Sequence, residues 1–181
     1  MEKLKFDNNI LVIGYGSVSQ CTLPILLEHI DVAPEKITVL DFENKSEALK
    51  KFTDMGIKFF QKKITPDNLD FVLQNYAGNN GLIIDLAWNI ECSDIISWCH
   101  DNDVFYANTS IEQWDPEKDM ETKSPFEKSL YYRQMRLRES RACNNCETSW
   151  PATAESTRPK NVGNQIHSHE HATQQSASEE T

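Results

Sequence analysis

Apolar runs and amphipathic stretches alternate along residues 1–139, and this alternation predicts strands and helices in turn. The run from Ile10 to Ile13, closed by Gly14, is typical of a strand buried on both faces of a parallel sheet. A helical stretch and a break at residues 31–34 follow, and then a β-rich run from Ile37 to Asp41. The positions at helical spacing are Val18, Cys21, Thr22, Ile25, Leu26 and Leu27. Together these segments make a strand, helix, strand unit of about thirty residues.

The same alternation continues towards residue 139. Strands are predicted over 57–60, 81–86 and 104–108, and helices over 46–55, over 65–76 with Thr65 as N-cap, and from Ser93 as N-cap through Ile96 and Trp98. A capping box at Ser124-Pro125-Phe126-Glu127 predicts a last helix, with Phe126, Leu130, Gln134 and Leu137 on one stripe. Such a β-α-β series predicts an α/β fold with a Rossmann-like, doubly wound parallel sheet and right-handed crossovers.

Composition changes near Ser140, which divides the chain into a domain over residues 1–139 and a tail over 140–181. The tail contains only Val162 and Ile166 from the set Leu, Ile, Val and Phe, whereas 18 of its 42 residues are Ser, Thr, Asn or Gln. Burial of so little apolar surface does not offset the entropy of ordering the chain. We therefore predict that the tail is disordered.

Charge and apolar content exclude several classes of protein. The 18 Lys and Arg residues against 28 Asp and Glu give a net charge of −10, which disfavours binding to nucleic acid. No apolar run approaches the roughly 20 residues of a membrane helix, and the first residues do not resemble a secretory signal. The five cysteines are an odd number, which fits reduced thiols. We expect a cytoplasmic protein that binds neither nucleic acid nor membrane.

The turn after the first predicted strand has the residues of a dinucleotide site. Gly14 would make a tight turn, Gly16 would let the backbone approach a pyrophosphate, and Tyr15, Ser17 and Val18 complete the turn and the helix N-terminus. The third glycine of the motif is replaced by Ser19, a small residue that the close packing of helix on strand would tolerate at some cost in spacing. The alternative is an ordinary strand-to-helix turn.

Two carboxylates end the second and the fourth predicted strand and would lie at the same crevice. Asp41 ends the second strand, where it would accept hydrogen bonds from the adenosine ribose and repel a 2′-phosphate, so NAD is the expected cofactor. Asp85, followed by Leu86 and Ala87, would lie near the nicotinamide ribose or the substrate, because ligands of open α/β sheets bind at the carboxyl ends of the strands. The alternatives are a helix cap or surface charge for Asp41, and a turn cap for Asp85.

These residues resemble the homospermidine synthase family, NAD-dependent enzymes related in fold to saccharopine dehydrogenase. The resemblance covers about residues 9–139. It includes Ile13 to Val18 continued by Thr22-Leu23-Pro24, then Asp41, Asp85-Leu86-Ala87 and Ile111-Glu112-Gln113-Trp114. The Thr-Leu-Pro continuation and the Glu-x-Trp after the fifth strand are more specific than the glycines, which many families share.

The resemblance implies chemistry on diamines. In that family NAD takes hydride from putrescine, a second amine (putrescine or spermidine) replaces ammonia, and the retained NADH reduces the new imine. Glu112 would be a substrate-facing carboxylate, and Trp114 would contact an alkylammonium through a cation–π interaction. The alternative for these two residues is a loop anchored by a buried indole.

The family also has a second, larger domain, opened by a Gly-Ala-Asn-Pro-Gly motif that does not occur in these residues. We therefore expect a truncated protein whose uncovered sheet edge or face could support a homodimer. Three functions stay open: a homospermidine-forming enzyme, an NAD-linked amine or amino-acid oxidoreductase of the saccharopine dehydrogenase type, and a non-catalytic NAD-binding remnant.

Other chemistry has little support in the sequence. The pair Cys143 and Cys146 with His167, His169 and His171 suggests zinc, but the 20-residue interval is long for a finger and the segment lacks a finger's apolar residues, so no metal is predicted. No catalytic role is proposed for Cys21, Cys92 or Cys99. The nucleophile motif G-x-S-x-G and the phosphate loop G-x-x-x-x-G-K-[ST] do not occur.

Overall fold

A five-stranded parallel sheet forms the centre of the protein. The computed structural model describes residues 2–118 and 120–139, so the predicted tail over 140–181 lies outside the described residues. The strands are β1 (Leu4–Lys5), β2 (Ile10–Ile13), β3 (Ile30–Asp31), β4 (Ile37–Asp41), β5 (Lys58–Gln61), β6 (Leu82–Asp85) and β7 (Phe105–Asn108). The α-helices are α1 (Ser17–His29), α2 (Ser46–Thr53), α3 (Leu69–Tyr76), α4 (Cys92–Asp101) and α5 (Leu130–Glu139).

The main sheet has the strand order β5-β4-β2-β6-β7, and β2 lies at its centre. Ile10 pairs with Ile37 on one side and with Leu82 on the other, and every neighbouring pair in the sheet is parallel. After β2 the chain adds β4 and β5 on one side of this strand. It then crosses to the other side of β2 and adds β6 and β7. This order confirms the predicted doubly wound, Rossmann-like α/β fold.

Alternate residues of the central strand enter two separate apolar layers, as expected for a strand buried on both faces. Ile10 and Val12 pack in the layer that also contains Leu23 of α1 and Leu49 of α2. Their neighbours on β2 face the opposite layer, which α3 and α4 cover with Leu73 and other apolar side chains. Helices on both faces leave the two ends of the strands as the places where a ligand can reach the sheet.

Two helix starts differ in detail from the prediction. Thr65 does form a capping box, in which its backbone N–H donates to Asn68 Oδ1 at 3.0 Å, but a 3-10 turn over Pro66–Asn68 precedes α3. Ser93, predicted as an N-cap, is instead the second residue of α4, because the carbonyl of Glu91 accepts the first helical bonds. The Ser93 hydroxyl donates to the Glu91 carboxylate at 2.9 Å.

The predicted apolar stripes of the first and last helices do not coincide with their buried faces. On α1 the buried residues are Ser19, Leu23 and Leu26, whereas Val18 and Ile25 are about half exposed. Apolar residues occur around most of this helix, so spacing alone does not identify its inner face. The parallel pair of β1 and β3, two residues each, was not predicted, because two residues show no periodicity.

The last helix also begins later than predicted. The capping box exists, since the Ser124 N–H donates to Glu127 Oε2 at 2.8 Å and the Glu127 N–H donates to Ser124 Oγ at 3.3 Å. It closes a turn, however, and α5 starts at Leu130. Of the predicted stripe only Leu137 is buried, while Phe126 and Leu130 are about half exposed.

Candidate functional site

The carboxyl ends of the strands meet at one edge of the sheet, where the predicted site residues follow them. The chain leaves β2 for β4 on one side, and β6 lies on the other side of β2, so the direction of winding reverses between β2 and β6. In doubly wound folds this reversal opens a crevice in which ligands bind. The loops after β2, β4, β6 and β7 therefore surround the candidate site.

Gly14 lies where two of these loops come into contact. Its φ of +86° is in the left-handed region that favours glycine, and its N–H donates to the Leu40 carbonyl at 2.8 Å. A Cβ added at Gly14 would lie 2.9 Å from both the Leu86 carbonyl oxygen and Ala87 Cα. The backbone of Leu86 and Ala87, directly after β6, therefore packs against Gly14 and leaves no room for a side chain there.

Gly16 has a different environment from Gly14. It is the N-cap of α1, and its carbonyl accepts the N–H of Gln20 at 3.1 Å. A Cβ at this position would meet no heavy atom of the described residues within 4 Å. Gly16, Ser17 and Val18 are all exposed, so the positive end of the helix faces open space in which an anionic group fits.

Ser19 replaces the third glycine without opening the packing of helix against strand. The residue is completely buried, and its hydroxyl donates to the carbonyl of Gly14. The side chain therefore fills the space between α1 and the turn and also satisfies a backbone acceptor there. This hydrogen bond ties the first turn of α1 to the glycine turn.

Asp41 is buried beside the glycine turn and is not a surface charge. Only 7% of the residue is exposed. Its Oδ2 accepts the backbone N–H of Tyr15 at 2.6 Å, and its Oδ1 accepts that of Glu43 at 2.8 Å. The carboxylate thus joins the end of β4 to the glycine turn. Each oxygen has two lone-pair sites, so both can still accept a bond from a ligand hydroxyl.

Tyr15 contributes to this site through its backbone. The residue is 3% exposed, and its ring packs in the apolar layer with residues of α1 and α2. Burial raises the pKa of the Tyr15 hydroxyl above its usual value of 10. A buried ring at this point fixes the turn, and the N–H that follows Gly14 is thereby directed at Asp41.

The charge around the end of β4 is negative. Glu43 follows Asp41 and forms an ion pair with Lys45. The hydrogen bond to Glu43 is the main cause that raises the pKa of Lys45. Two carboxylates are therefore opposed by one lysine, which already has an acidic partner.

A buried polar cluster lies at the ends of β6 and β7. Asp85 Oδ1 accepts the N–H of Ala87 at 3.2 Å, which is the contact of a turn cap, and Oδ2 accepts the hydroxyl of Tyr106 at 2.9 Å. Asn108 donates to Cys92 Sγ at 3.1 Å and to the Ser110 carbonyl at 2.7 Å. Burial is the main cause that raises the pKa of Asp85 from 3.8 to about 6.

The sequence predicts a strand at Tyr106 and Asn108 but no role for either residue in the site. The available signal was Asn108, a polar residue that closes a buried strand at the crevice edge. Tyr106 gave no such signal, because an aromatic residue within a strand is ordinary. Cys92, for which the sequence predicts no catalytic role, is buried in this cluster, where its sulfur accepts the Asn108 hydrogen bond.

Glu112 and Trp114 lie in the loop after β7, which begins at the same edge of the sheet as the loops after β2, β4 and β6. The Glu112 carbonyl accepts the N–H of Cys92 at 3.2 Å, and its carboxylate accepts the Ser110 hydroxyl at 2.6 Å. Trp114 is half-buried against the core, and its indole N–H donates to Asp94 at 2.8 Å. These are the contacts of an anchored loop, and contacts of Glu112 and Trp114 with a substrate stay predictions.

Two further findings concern metals and membranes. Within residues 2–118 and 120–139, no group of three or more His, Cys, Asp or Glu side chains could hold a metal ion. Cys143, Cys146 and the histidines at 167, 169 and 171 lie outside the described residues. In the part of the chain that the structure describes, every helix is too short or too polar to span a membrane.

Comparison with known proteins gives a consistent result. Residues 10–146 match the family model described as the saccharopine dehydrogenase NADP binding domain. The homospermidine synthase of Blastochloris viridis is 28% identical over 130 residues, which cover 67% of this chain and 27% of that protein. The enzyme of Mesorhizobium japonicum is also 28% identical, over 108 residues, which cover 58% of this chain and 22% of that protein.

A solved structure extends the comparison to three dimensions. The crystal structure of the homospermidine synthase from Legionella pneumophila in complex with NAD matches with a TM-score of 0.62 and 25% identity. The match covers 76% of this chain and 28% of the Legionella protein. The chain thus spans about a quarter of the length of these relatives.

The two glycines of the turn should respond differently to alanine. Gly14→Ala should lower the free energy of unfolding by about 1–3 kcal/mol or more. The added Cβ would be too close to the backbone of Leu86 and Ala87, and alanine rarely adopts this positive φ. Gly16→Ala, the matched control, should change it by less than about 1 kcal/mol, because the position is open and its φ of −93° is ordinary. Urea unfolding of both variants tests this, and equal losses would contradict it.

The raised pKa of Asp85 predicts a pH dependence of stability. Since the folded-state pKa of about 6 exceeds 3.8, the folded protein binds this proton more tightly than the unfolded chain. The resulting stabilisation is complete below the unfolded value and is lost as the pH rises through about 6. Relative to Asp85→Asn, the wild type should lose about 2–3 kcal/mol between about pH 4 and pH 7. Parallel pH profiles for the two proteins would refute this.

Proposed function

This chain belongs to the saccharopine dehydrogenase NADP binding domain family, and from its crevice we propose that it binds NAD. The adenosine ribose would lie on Asp41, and the pyrophosphate over Gly16 and the first N–H groups of α1. The nicotinamide end would reach the loops that contain Asp85 and Glu112. The solved relative from Legionella, which was crystallised with NAD, supports this proposal through a match that covers 76% of this chain.

The position of Asp41 is the observation that carries the proposal. Its carboxylate is held beside the glycine turn by two backbone N–H groups, so its place relative to the open N-terminus of α1 is fixed before any ligand arrives. Preorganised acceptors lose little entropy on binding. A carboxylate at the end of this strand is the group that recognises ribose hydroxyls in dinucleotide-binding folds.

The same charges favour NAD over NADP, although the name of the family refers to NADP. A 2′-phosphate at this position would lie near Asp41 and Glu43, and the neighbouring Lys45 already pairs with Glu43. Recognition of a 2′-phosphate in such folds uses an arginine instead. We therefore propose that this chain differs in its cofactor preference from the name of its family.

For the reaction, we propose homospermidine formation in the cytoplasm, by aminobutyl transfer from putrescine to a second amine, to which these residues contribute the cofactor site. When bound, the cofactor would accept and return a hydride. Asp85 and Glu112 would attract the cationic amines, and the raised pKa of Asp85, about 6, would let that carboxyl exchange a proton near neutral pH. The match covers only about a quarter of the relatives' length, and we propose that the matched residues hold the cofactor without completing the transfer by themselves.

Replacement of Asp41 tests the cofactor site. Asp41→Ala should weaken NADH binding about 10-fold or more, since hydrogen bonds to a charged group contribute about 1.5–3 kcal/mol. It should weaken NADPH binding far less, because the repulsion of the 2′-phosphate is removed at the same time. The measurement is a fluorescence titration of each protein with NADH and with NADPH.

The ratio of the two affinities separates recognition from structure. Asp41 also supports the glycine turn, and loss of that support would weaken both cofactors equally. Equal losses would therefore contradict the ribose assignment. Absence of saturable NADH binding by the folded wild-type protein would contradict the proposed function as a whole.

The amine reaction is tested by incubating the wild-type chain with NAD and putrescine. We expect the protein to bind NADH but to form no homospermidine. The match covers only about a quarter of the relatives' length, so most of their residues have no counterpart among these. Homospermidine without net NADH would show that these residues complete the transfer alone and would contradict the proposal that they only hold the cofactor. Accumulation of free NADH would instead favour an oxidoreductase of the saccharopine dehydrogenase type.

A further inference from the structure

Tyr106 is a fully buried residue whose hydroxyl lies among polar groups at the crevice end of the sheet. Only 1% of it is exposed. Its hydroxyl is 2.9 Å from Asp85 Oδ2 and 3.5 Å from Cys92 Sγ. A buried hydroxyl needs a partner, so the packing of this ring and the position of the carboxylate depend on each other.

The register of the sheet creates this contact. Ile83 on β6 pairs with Tyr106 on β7, and Asp85 pairs with Asn108. Side chains two residues apart on a strand point to the same face, and paired residues of neighbouring strands share a face. Asp85, Tyr106 and Asn108 are thus all directed to the face that α4 covers. The phenol of Tyr106 is long enough to reach the carboxylate of the residue two positions further along the neighbouring strand.

We propose that Tyr106 is a positioning residue for Asp85: its hydroxyl holds the Asp85 carboxylate ionised and oriented towards the nicotinamide end of the bound cofactor. The inference rests on the proposed function, because it requires a cofactor in the crevice. No role for this residue follows from the dinucleotide motif, which ends at Asp41.

The carboxylate of Asp85 can accept these two hydrogen bonds and still bind a ligand. Tyr106 and the Ala87 N–H each occupy one site on a different oxygen, and this pair of bonds fixes the plane of the carboxylate. One lone-pair site on each oxygen stays open, and 5% of the residue is exposed. A fixed, ionised acceptor binds a ribose hydroxyl or an amide N–H more strongly than a neutral one does.

The groups around Asp85 determine how strongly the hydrogen bond from Tyr106 affects the pKa of this carboxyl. Burial raises the pKa of Asp85, and the negative charge of Glu112 raises it further. The thiols of Cys92 and Cys99 face the cluster from α4, and a thiol carries no positive charge that could stabilise the carboxylate. Burial raises the pKa of Cys99, so this thiol also stays neutral and adds no negative charge. Hydrogen bonds from the Ala87 N–H and Tyr106 act in the opposite direction and lower the pKa of Asp85. Loss of the Tyr106 hydroxyl should therefore raise this pKa above about 6.

The experiment compares Tyr106→Phe with Tyr76→Phe. Tyr76 is a half-buried tyrosine of the same apolar layer, but its ring lies against Phe60 of β5, at the opposite edge of the sheet. The first readout is the titration of the Asp85 side-chain carboxyl carbon by NMR in the protein without cofactor. We expect the midpoint to rise by about one pH unit in Tyr106→Phe and to stay unchanged in Tyr76→Phe.

The second readout is NADH affinity as a function of pH. Tyr106→Phe should weaken NADH binding several-fold near pH 6 and less near pH 8, where Asp85 is ionised in both proteins. In an Asp85→Asn background the same substitution should have no further effect, which also controls for a general loss of packing. Additive effects of the two substitutions would overturn the inference.

The failure of the inference and that of the proposed function are distinguishable. If the wild type binds NADH and Tyr106→Phe leaves both the Asp85 midpoint and the affinity unchanged, the inference is wrong and the proposed function stands. If the folded wild type binds no NADH, the proposed function fails, and the role assigned to Tyr106 fails with it.

Discussion

The site depends on one steric constraint, the close approach of the β2 and β6 loops at Gly14. No side chain fits between this residue and the backbone of Leu86 and Ala87, so the loop after β6 can pack against the turn after β2 only because glycine stands there. The approach places Asp85 beside the crevice, and the bond from the Gly14 N–H to Leu40 holds the end of β4 on the other side. Three strand ends are thus brought together around one residue without a Cβ.

Hydrogen bonds from buried side chains make this arrangement rigid. The Ser19 hydroxyl binds the carbonyl of Gly14, and Asp41 binds the N–H of the next residue, so both sides of the turn are tied to different elements. The same groups form the proposed cofactor site, in which the carboxylate of Asp41 has a structural and a recognition role together. Charge then distinguishes the two halves of the crevice: α1 presents a helix N-terminus, whereas Asp85 and Glu112 are acidic.

The parts of the fold that follow from local pattern could be predicted from the sequence. The strands are short apolar runs between polar breaks. Gly14 and Gly16 follow the first predicted strand directly and Asp41 ends the second, so their positions in the sequence already indicate a site. Contacts that depend on register could not be predicted in this way. The bond of Tyr106 to Asp85 exists because β6 and β7 pair as they do, and the inner face of α1 is decided by the sheet on which the helix packs, since Val18 and Ile25 are as apolar as Leu23 and Leu26.

The central position of β2 also has a consequence for biosynthesis. This strand leaves the ribosome well before its partner β6, which is about seventy residues further along the chain. At translation rates of about 5–20 residues per second, one edge of β2 stays unpaired for roughly 4–14 s. During that interval the nascent chain exposes an apolar strand with free backbone groups. An unpaired apolar edge can pair with another chain, and the stability of the completed sheet does not remove that risk during synthesis.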